Sequence, residues 1–510
     1  MKLRLLLRFP LKNKGLRFIF FCFSAFLLFC SPSAFAQKNP KEKSAEPKHK
    51  LVFHIKDCTD AQVLLVSTFR DKHLLKDSAK NDGKGTFVFE GNKEYDAGLY
   101  ALVSAKRTIL LNFIMDGSQH FTFNLDTTGN VKNFSVIGSP ENDEMLRFSK
   151  KTTEAQKNMK EWDQKRKLFE EKGKKDSASF YKEKMLNLNS EMELFITELI
   201  EKNPNFLFSK LQKSYREIEI PEPPVFADGS IDSTFQMIYY RTHYWDNFDL
   251  SDRRFLFLPS YEPKLNNYFK NILWYQEADT ISKYMSMMLD KTLSDSLMYR
   301  FLFEYLSKEF QNNVIGHDAV FVHLTKNNVL AGKCTWMEED LIKEYKMRVE
   351  DLEPVLIGKK SVEMMLADTS QKKYYSSYDM PKKYRVLWFY DHTCPTCKKE
   401  AKEMKAVCDS LENIGKLNFD VYAVINTEDF AGWKKYIVDN GYTWINVGGV
   451  SGNVDWTKAY RITKNPRFFI INKDKIIIMN VDLPKNIIPQ FLDDYERIEA
   501  EKERLKNKKR

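Results

Sequence analysis

Long apolar runs and cysteines are both scarce in these 510 residues. The longest uncharged apolar stretch, FIFFCFSAFLLFC at residues 18–30, has 13 residues. A bilayer-spanning helix needs about 20, so this stretch is short for a retained anchor, and no later segment is long and apolar enough to cross a membrane. Seven cysteines in a chain of this size are too few for a disulfide-built scaffold. There is one CxxC and no second pair, whereas a structural zinc site wants four ligands. An excess of one charge is missing as well. The formal net charge is +10, but residues 1–36 hold six basic residues and no acid. Beyond them 74 basic residues face 70 acidic ones, and Arg497–Arg510 alone holds seven basic and three acidic. The body is near neutral, which excludes a charge-based case for nucleic-acid binding.

What is present begins with a targeting pattern. Six basic residues precede the apolar stretch, and Ala34 and Ala36 follow it at the −3 and −1 places of a signal-peptidase site. This predicts a secretion signal over 1–36, cleaved after Ala36. Lipidation at Cys30 is the alternative, disfavoured by the bulky Phe29 before it. A charged linker, 37–50, follows. Export to an oxidising compartment invites a redox reading of a lone CxxC.

From Leu51 the pattern is strand-like: LVFHI, AQVLLVSTF, GTFVFEG, GLYALVS, TILLNFIM, HFTFNL and FSVIG, separated by DGKG, DG and TTGN turns. This predicts an antiparallel β-sandwich over 51–140. Ser139-Pro140-Glu141 can cap a helix, and helical spacing follows it. Gly173 divides two long helices into an αα-hairpin, which Asn203-Pro204 ends. After a loop (IEIPEPPVFADGS) comes the aromatic-rich FQMIYYRTHYWDNFDLSDRRFLFLP and five more helical stretches, so 141–352 reads as an all-α middle domain. The aromatic stretch is either core or a peptide-docking surface.

The third texture, 353–497, alternates strand and helix. YRVLWFY, FDVYAVIN, TWINV, RFFIIN and KIIIMNV read as strands, the last two as a hairpin around Lys473-Asp474. KKEAKEMKAVCDSLENI, FAGWKKYIVDNG and IIPQFLDDYERIEAEKERL read as helices. The order β-α-β-α-(β)-β-β-α predicts an α/β thioredoxin-like fold. Residues 498–510 form a basic tail, read as a solvated helix end.

The CxxC, Cys394-Pro395-Thr396-Cys397, ends a buried strand and opens a helix. Zinc fails on ligand count, and a two-residue loop removes little chain entropy if closed only as a staple. A redox role has a mechanism. Pro395 suits the first helical turn. Cys394 then sits at the helix N-terminus, where backbone N–H groups favour its thiolate. A thiolate attacks disulfides, and Cys397, one turn on, is the more buried thiol that resolves the mixed disulfide.

YDHTCPTCKKE, the αβ order around it and LIGKK upstream resemble the TlpA/ResA branch of extracytoplasmic thioredoxin-like proteins. DSAKNDGKGTFVFEGNKEYDAGLYALV with VIGSPENDEMLRF resembles the β-rich N-terminal domain of Bacteroidetes thioredoxin-like proteins. RTHYWDNFDLSDRRFLFLP and IGHDAVFVHL resemble the helical domain that accompanies it. The resemblance implies an exported, periplasmic thiol–disulfide oxidoreductase, with Cys394 attacking and Cys397 resolving. CPTC followed by an acid also occurs in the cytochrome c maturation members. The implied partners are protein disulfide substrates and a membrane thiol electron donor, with no nucleic acid, no metal and no cofactor beyond the Cys394–Cys397 disulfide. Reductase is the implied direction; oxidase or isomerase, or a polypeptide-binding scaffold with secondary thiol chemistry, are the alternatives.

Two further residues carry over. Pro466 stands where the family has a cis-proline facing the pair, preceded here by Asn465 rather than the common Thr; otherwise it is an ordinary strand-entry proline. Glu400, three residues after Cys397, stands where ResA-like proteins have an acid that handles the resolving thiol's proton; otherwise it is a surface charge in KKEAKE. Where thioredoxins proper carry a buried Asp, six residues before the first cysteine, this chain has Trp388. Cys408 falls in line with Cys397, Ala401 and Met404 and reads as core. His392 is a thiolate-tuning residue or a plain loop histidine, and Cys58 and Cys334 are free or paired.

Overall fold

The computed structural model describes residues 47–126, 133–225, 229–274, 276–311, 316–449, 452–481 and 487–508. The secretion signal, Cys30, most of the 37–50 linker, the TTGN turn and the last two tail residues lie outside them. Contacts divide the chain into two units, Met1–Asn267 and Tyr268–Arg510.

The first unit opens with eight strands: β1 (His49–Ile55), β2 (Gln62–Phe69), β3 (Lys72–Lys80), β4 (Thr86–Gly91), β5 (Gly98–Ser104), β6 (Ile109–Met115), β7 (His120–Asp126) and β8 (Asn133–Ile137). They form two four-stranded sheets, β4-β1-β7-β8 and β3-β2-β5-β6. Alternation along each strand sends one set of side chains inward. In β1, Leu51, Phe53 and Ile55 are buried, and they meet Val63, Leu65, Leu102 and Phe113 of the other sheet in one core. The expected sandwich is present with one departure: β1 and β7 pair in parallel, Phe53 opposite Phe123. The two strands are too distant in sequence for a turn signal to announce their direction.

Helix α1 (Pro140–Glu171) starts where Ser139 accepts a hydrogen bond from the Asn142 backbone N–H, with Pro140 in the first turn. Gly173, at φ +67°, turns the chain into α2 (Lys175–Lys202). The two helices pack side by side through Phe148 on Phe195, ring centroids 6.2 Å apart, and Phe169 on Tyr181 at 5.9 Å. Then come α3 (Leu207–Ser214), α4 (Phe235–His243) and α5 (Tyr261–Asn267). The aromatic stretch around them is mainly core: Tyr244, Trp245, Phe248 and Phe255 are buried, and Phe248 stacks on Tyr261 at 5.1 Å.

The second unit begins with a π-helical turn (Tyr268–Leu273), then α6 (Ala278–Thr292), α7 (Ser296–Phe310), α8 (His317–Leu324) with a π turn after it (Thr325–Val329), and α9 (Glu339–Leu352). There follow β9 (Met365–Ala367), β10 (Tyr374–Ser376), β11 (Tyr384–Tyr390), α10 (Pro395–Asn413), β12 (Phe419–Ile425), α11 (Phe430–Asn440), β13 (Ile445–Gly448), α12 (Trp456–Ala459), β14 (Arg467–Ile471), β15 (Ile477–Val481) and α13 (Ile487–Lys508). The sheet order is β13-β12-β11-β14-β15, with β12 and β13 parallel to β11, β14 antiparallel to it, and β15 antiparallel to β14. Strand β11 is buried along its whole length, as a central strand covered on both faces must be. Val386, Trp388 and Tyr390 enter the core with Cys397 and Met404, and Leu387 and Phe389 enter the core on the opposite face. Three parts are thus present: a β-sandwich, an all-α middle and an α/β thioredoxin-type sheet. No helix among the described residues is long and apolar enough to cross a membrane.

Candidate active site

The site forms where β11 ends. The Asp391 carboxylate accepts hydrogen bonds from the Thr393 backbone N–H and hydroxyl, both at 2.7 Å, and the Asp391 carbonyl accepts from the Cys394 N–H at 3.2 Å. This closed turn delivers Cys394 as the N-cap of α10, at φ −68° and ψ 122°. Its carbonyl accepts from the Lys398 N–H at 3.0 Å. Its sulfur accepts from the Cys397 N–H at 3.4 Å, so an otherwise orphaned helix-end donor points at the thiol. Cys394 is half-buried, and Cys397 is fully buried among Trp388, Tyr390, Ala401 and Phe468.

Both thiols are free, and so are Cys58, Cys334 and Cys408. Burial pushes the Cys397 thiol up to about 12; the adjacent Cys394 sulfur and the Asp391 carboxylate add to this, against a hydrogen bond to the Asp391 backbone. Burial tends to raise Asp391 too, but the Thr393 bonds and His392 outweigh it and hold the carboxyl below its ordinary range. A fixed negative charge therefore stands beside the pair at neutral pH.

Glu400 is 3% exposed. It lies on the buried face of α10 with Cys397, Ala401 and Met404, so the surface-charge alternative does not hold. The Asn465–Pro466 peptide bond is cis. Pro466 is buried and directly precedes β14, whose Arg467 lies opposite Phe389 of β11. The register sets it at the sheet end from which the Asp391–Cys394 loop leaves.

Trp388 is fully buried, stacked between Phe468 at 5.6 Å and Tyr390 at 4.6 Å, so aromatic packing fills the position of the thioredoxin acid. Cys408 packs against the same core, and burial raises its thiol to about 11. Both facts fit a packing role.

Sequence reasoning singled out His392 but missed the distant partners that brace this end of the sheet. His392 is buried, with Nε2 3.6 Å from the Asp429 carboxylate and Nδ1 3.9 Å from that of Asp391. The Tyr390 hydroxyl accepts from Trp433 Nε1 at 2.8 Å. These partners lie 37 and 43 residues apart in the chain, beyond any local pattern. Among the described residues no group of three or more His, Cys, Asp or Glu is placed to hold a metal ion.

Comparison with known proteins gives two family matches: the AhpC/TSA family over residues 357–479 and a domain of unknown function, DUF4369, over residues 50–145. The first falls on the thioredoxin-type part and the second on the β-sandwich. Among solved structures, a thioredoxin-like protein from Bacteroides caccae is 17% identical over 55% of this chain and 99% of its own, with a TM-score of 0.39. A domain of a possible thiol-disulfide isomerase from Cytophaga hutchinsonii is 27% identical over 29% of this chain and 97% of its own, at 0.26. A thiol:disulfide interchange protein from Bacteroides sp. is 20% identical over 25% and 82%, at 0.22. No curated protein matches the chain.

Proposed function

We propose that this chain is a thiol–disulfide oxidoreductase, exported to the periplasm, that reduces protein disulfides with the Cys394–Cys397 dithiol. One observation carries the reading: a half-exposed helix-capping thiol that accepts the Cys397 N–H, above a fully buried partner thiol one turn on.

The Cys394 thiolate attacks one sulfur of a client disulfide. A bond forms between Cys394 Sγ and that sulfur, the client S–S bond breaks, and the released client sulfur takes up a proton. Cys397 then passes its proton to Glu400 and attacks Cys394 Sγ. The Cys394–Cys397 bond forms and the second client sulfur leaves, taking up a proton in turn. Two electrons have moved to the client. A membrane-held dithiol donor restores the pair by the same exchange. Pro466 lies at the same end of the sheet as the cysteine pair, and an extended client segment would pair with the backbone beside it.

The reducing direction is the one that the resemblance implies, with oxidase or isomerase chemistry at the same two thiols as the alternative. CPTC with Glu400 fits the TlpA/ResA branch, and the cysteine pair of a c-type cytochrome before haem attachment is one client that suits it.

The mature protein reduces a disulfide-bonded peptide when supplied with a dithiol, and Cys394→Ser abolishes turnover. Full activity in that variant sinks the proposal. Cys397→Ser traps clients as mixed disulfides in periplasmic extracts, recoverable under non-reducing conditions.

A further inference from the structure

The two outer faces of the β-sandwich differ. On the β3-β2-β5-β6 sheet the outward side is covered. Leu99 and Ala101, which alternate with the core residues Tyr100 and Leu102, are themselves buried, and a 3-10 helix, Arg253–Phe257, packs on β2 and β5. On the β4-β1-β7-β8 sheet the outward side is open: His54, between the core residues Phe53 and Ile55, is exposed.

An open cavity of about 510 Å³ lies on this face, a volume that suits a small molecule. His54, Asn124 and Ser135 line its middle as a row across three strands. His54 lies opposite Asn124, and Asn124 opposite Ser135. The row is held by its own hydrogen bonds: His54 Nδ1 is 3.0 Å from Thr86 Oγ1, and Asn124 Nδ2 donates to Ser135 Oγ at 3.4 Å.

Three lysines line the same cavity, against one carboxylate. Lys56 is matched by that carboxylate, Asp126, at 3.1 Å. Lys84 and Lys150 have no ion-pair partner among the described residues. Asp82, the acid beside Lys84 in sequence, accepts instead from the Lys84 and Thr86 backbone N–H groups at 2.7 and 3.0 Å. On α1 the flanking cations are paired, Arg147 with Glu144 at 2.7 Å and Lys151 with Glu191 at 3.0 Å. Lys150 stands apart from these and reaches the cavity. The two unmatched lysines come from opposite margins. Lys84 belongs to the loop before β4, α1 packs beside β8, and β4 and β8 are the edge strands of this sheet. Strands lie about 4.8 Å apart, so the sheet between the margins is roughly 14 Å wide.

We propose that this face of the β-sandwich binds a small, elongated organic dianion, its acidic groups on Lys84 and Lys150 and its middle along His54, Asn124 and Ser135. Charge-assisted hydrogen bonds at the two ends would supply the affinity, and the row between them would orient the ligand. The β-sandwich is then a ligand-binding module, and its site is independent of the cysteine chemistry.

The test titrates the mature protein at low salt with the straight dicarboxylates succinate, adipate and suberate, followed by NMR. Suberamide, inorganic phosphate and octanediamine are the comparisons. Affinity should rise with the length of the dicarboxylate, and suberate should bind about tenfold more tightly than phosphate, which reaches only one lysine. The amide and the diamine should not bind. Lys84→Gln and Lys150→Gln should each weaken suberate by about tenfold, as loss of one charged hydrogen bond does. Both side chains are exposed, so the variants should keep the wild-type urea midpoint and the wild-type disulfide turnover. No dicarboxylate binding, equal binding of the amide or of phosphate, affinity that ignores length, or binding that survives in the double variant overturns the inference. Each of these outcomes leaves the reductase reading intact.

Discussion

Replacing Glu400 by Gln should change how the mixed disulfide is resolved, without altering the shape of the site. Burial holds the Cys397 thiol protonated at neutral pH, so the resolving thiolate is scarce at pH 7. The greater nucleophilicity of a more basic thiolate recovers only part of that loss, the Brønsted coefficient being about 0.4–0.5. Resolution at neutral pH therefore needs a base. Glu400 is the buried carboxylate one turn along the same helix face, and a positioned general base supplies about 10²–10⁴. With Gln the resolving step should slow by about 100-fold at pH 7. Its rate should then climb by about tenfold per pH unit up to about pH 9, because hydroxide has become the base. The assay treats reduced protein with an excess of a chromophoric aromatic disulfide and follows thiol release in two phases: capture at Cys394, then expulsion by Cys397. Cys397→Ser, which lacks the second phase, is the control. A Gln variant that resolves at the wild-type rate, with the wild-type pH profile, refutes the role given to Glu400.

Three other outcomes follow from the packing and the charges. Burial, foremost, raises the Glu141 carboxyl to about 7 from an ordinary 4.5, against hydrogen bonds from the Phe208 and Leu207 backbone and the pull of Arg254. The folded state thus holds this proton more tightly than the unfolded chain, so its contribution is fully present below pH 4.5 and is lost as pH rises to about 7. Glu141→Gln should stabilise the fold above pH 7, by about 3 kcal/mol at most, and so raise Tm there while leaving it unchanged near pH 4; a Tm gain that is the same at both pH values contradicts this. Phe53 is fully buried, with the rings of Phe89, Phe113 and Phe123 at 5.8, 5.5 and 5.7 Å. Phe53→Ala should cost the β-sandwich about 3–5 kcal/mol in urea denaturation, and a loss under about 1 kcal/mol would show that its core is not packed as described. With Cys394 and Cys397 both changed to Ser, the chain should fail to complement a deletion strain. Complementation would assign the function to polypeptide binding by the β-sandwich and helical parts.

Much of the fold was legible because local signals agreed with the tertiary outcome. YRVLWFY spans β11 from end to end, since a central strand buried on both faces is an unbroken apolar run. Ser139, Pro140 and Gly173 mark the ends of α1 through their own backbone chemistry. What local signals cannot carry is pairing at a distance. The parallel alignment of β1 with β7 depends on how the two sheets close, and the three-residue strands β9 and β10 are too short for any period to show. The π turns at Tyr268–Leu273 and Thr325–Val329 lie inside stretches whose spacing reads simply as helix. The site divides in the same way. Cys394 and Cys397 announce themselves by spacing. Glu400 reads as surface within KKEAKE until the stripe Cys397, Ala401, Met404 is recognised as the buried face and Glu400 is seen to share it. His392 acquires its carboxylate neighbour Asp429 only when β12 lies beside β11.

The midpoint potential of the Cys394–Cys397 pair tests the central claim most directly. It is measured by equilibrating the mature protein in dithiol buffers of defined potential and counting free thiols. A reductase pair should lie near thioredoxin, at about −270 mV or below. A value near about −120 mV would mean that the reduced form is the stabilised one, and the chain would be an oxidant rather than a reductase.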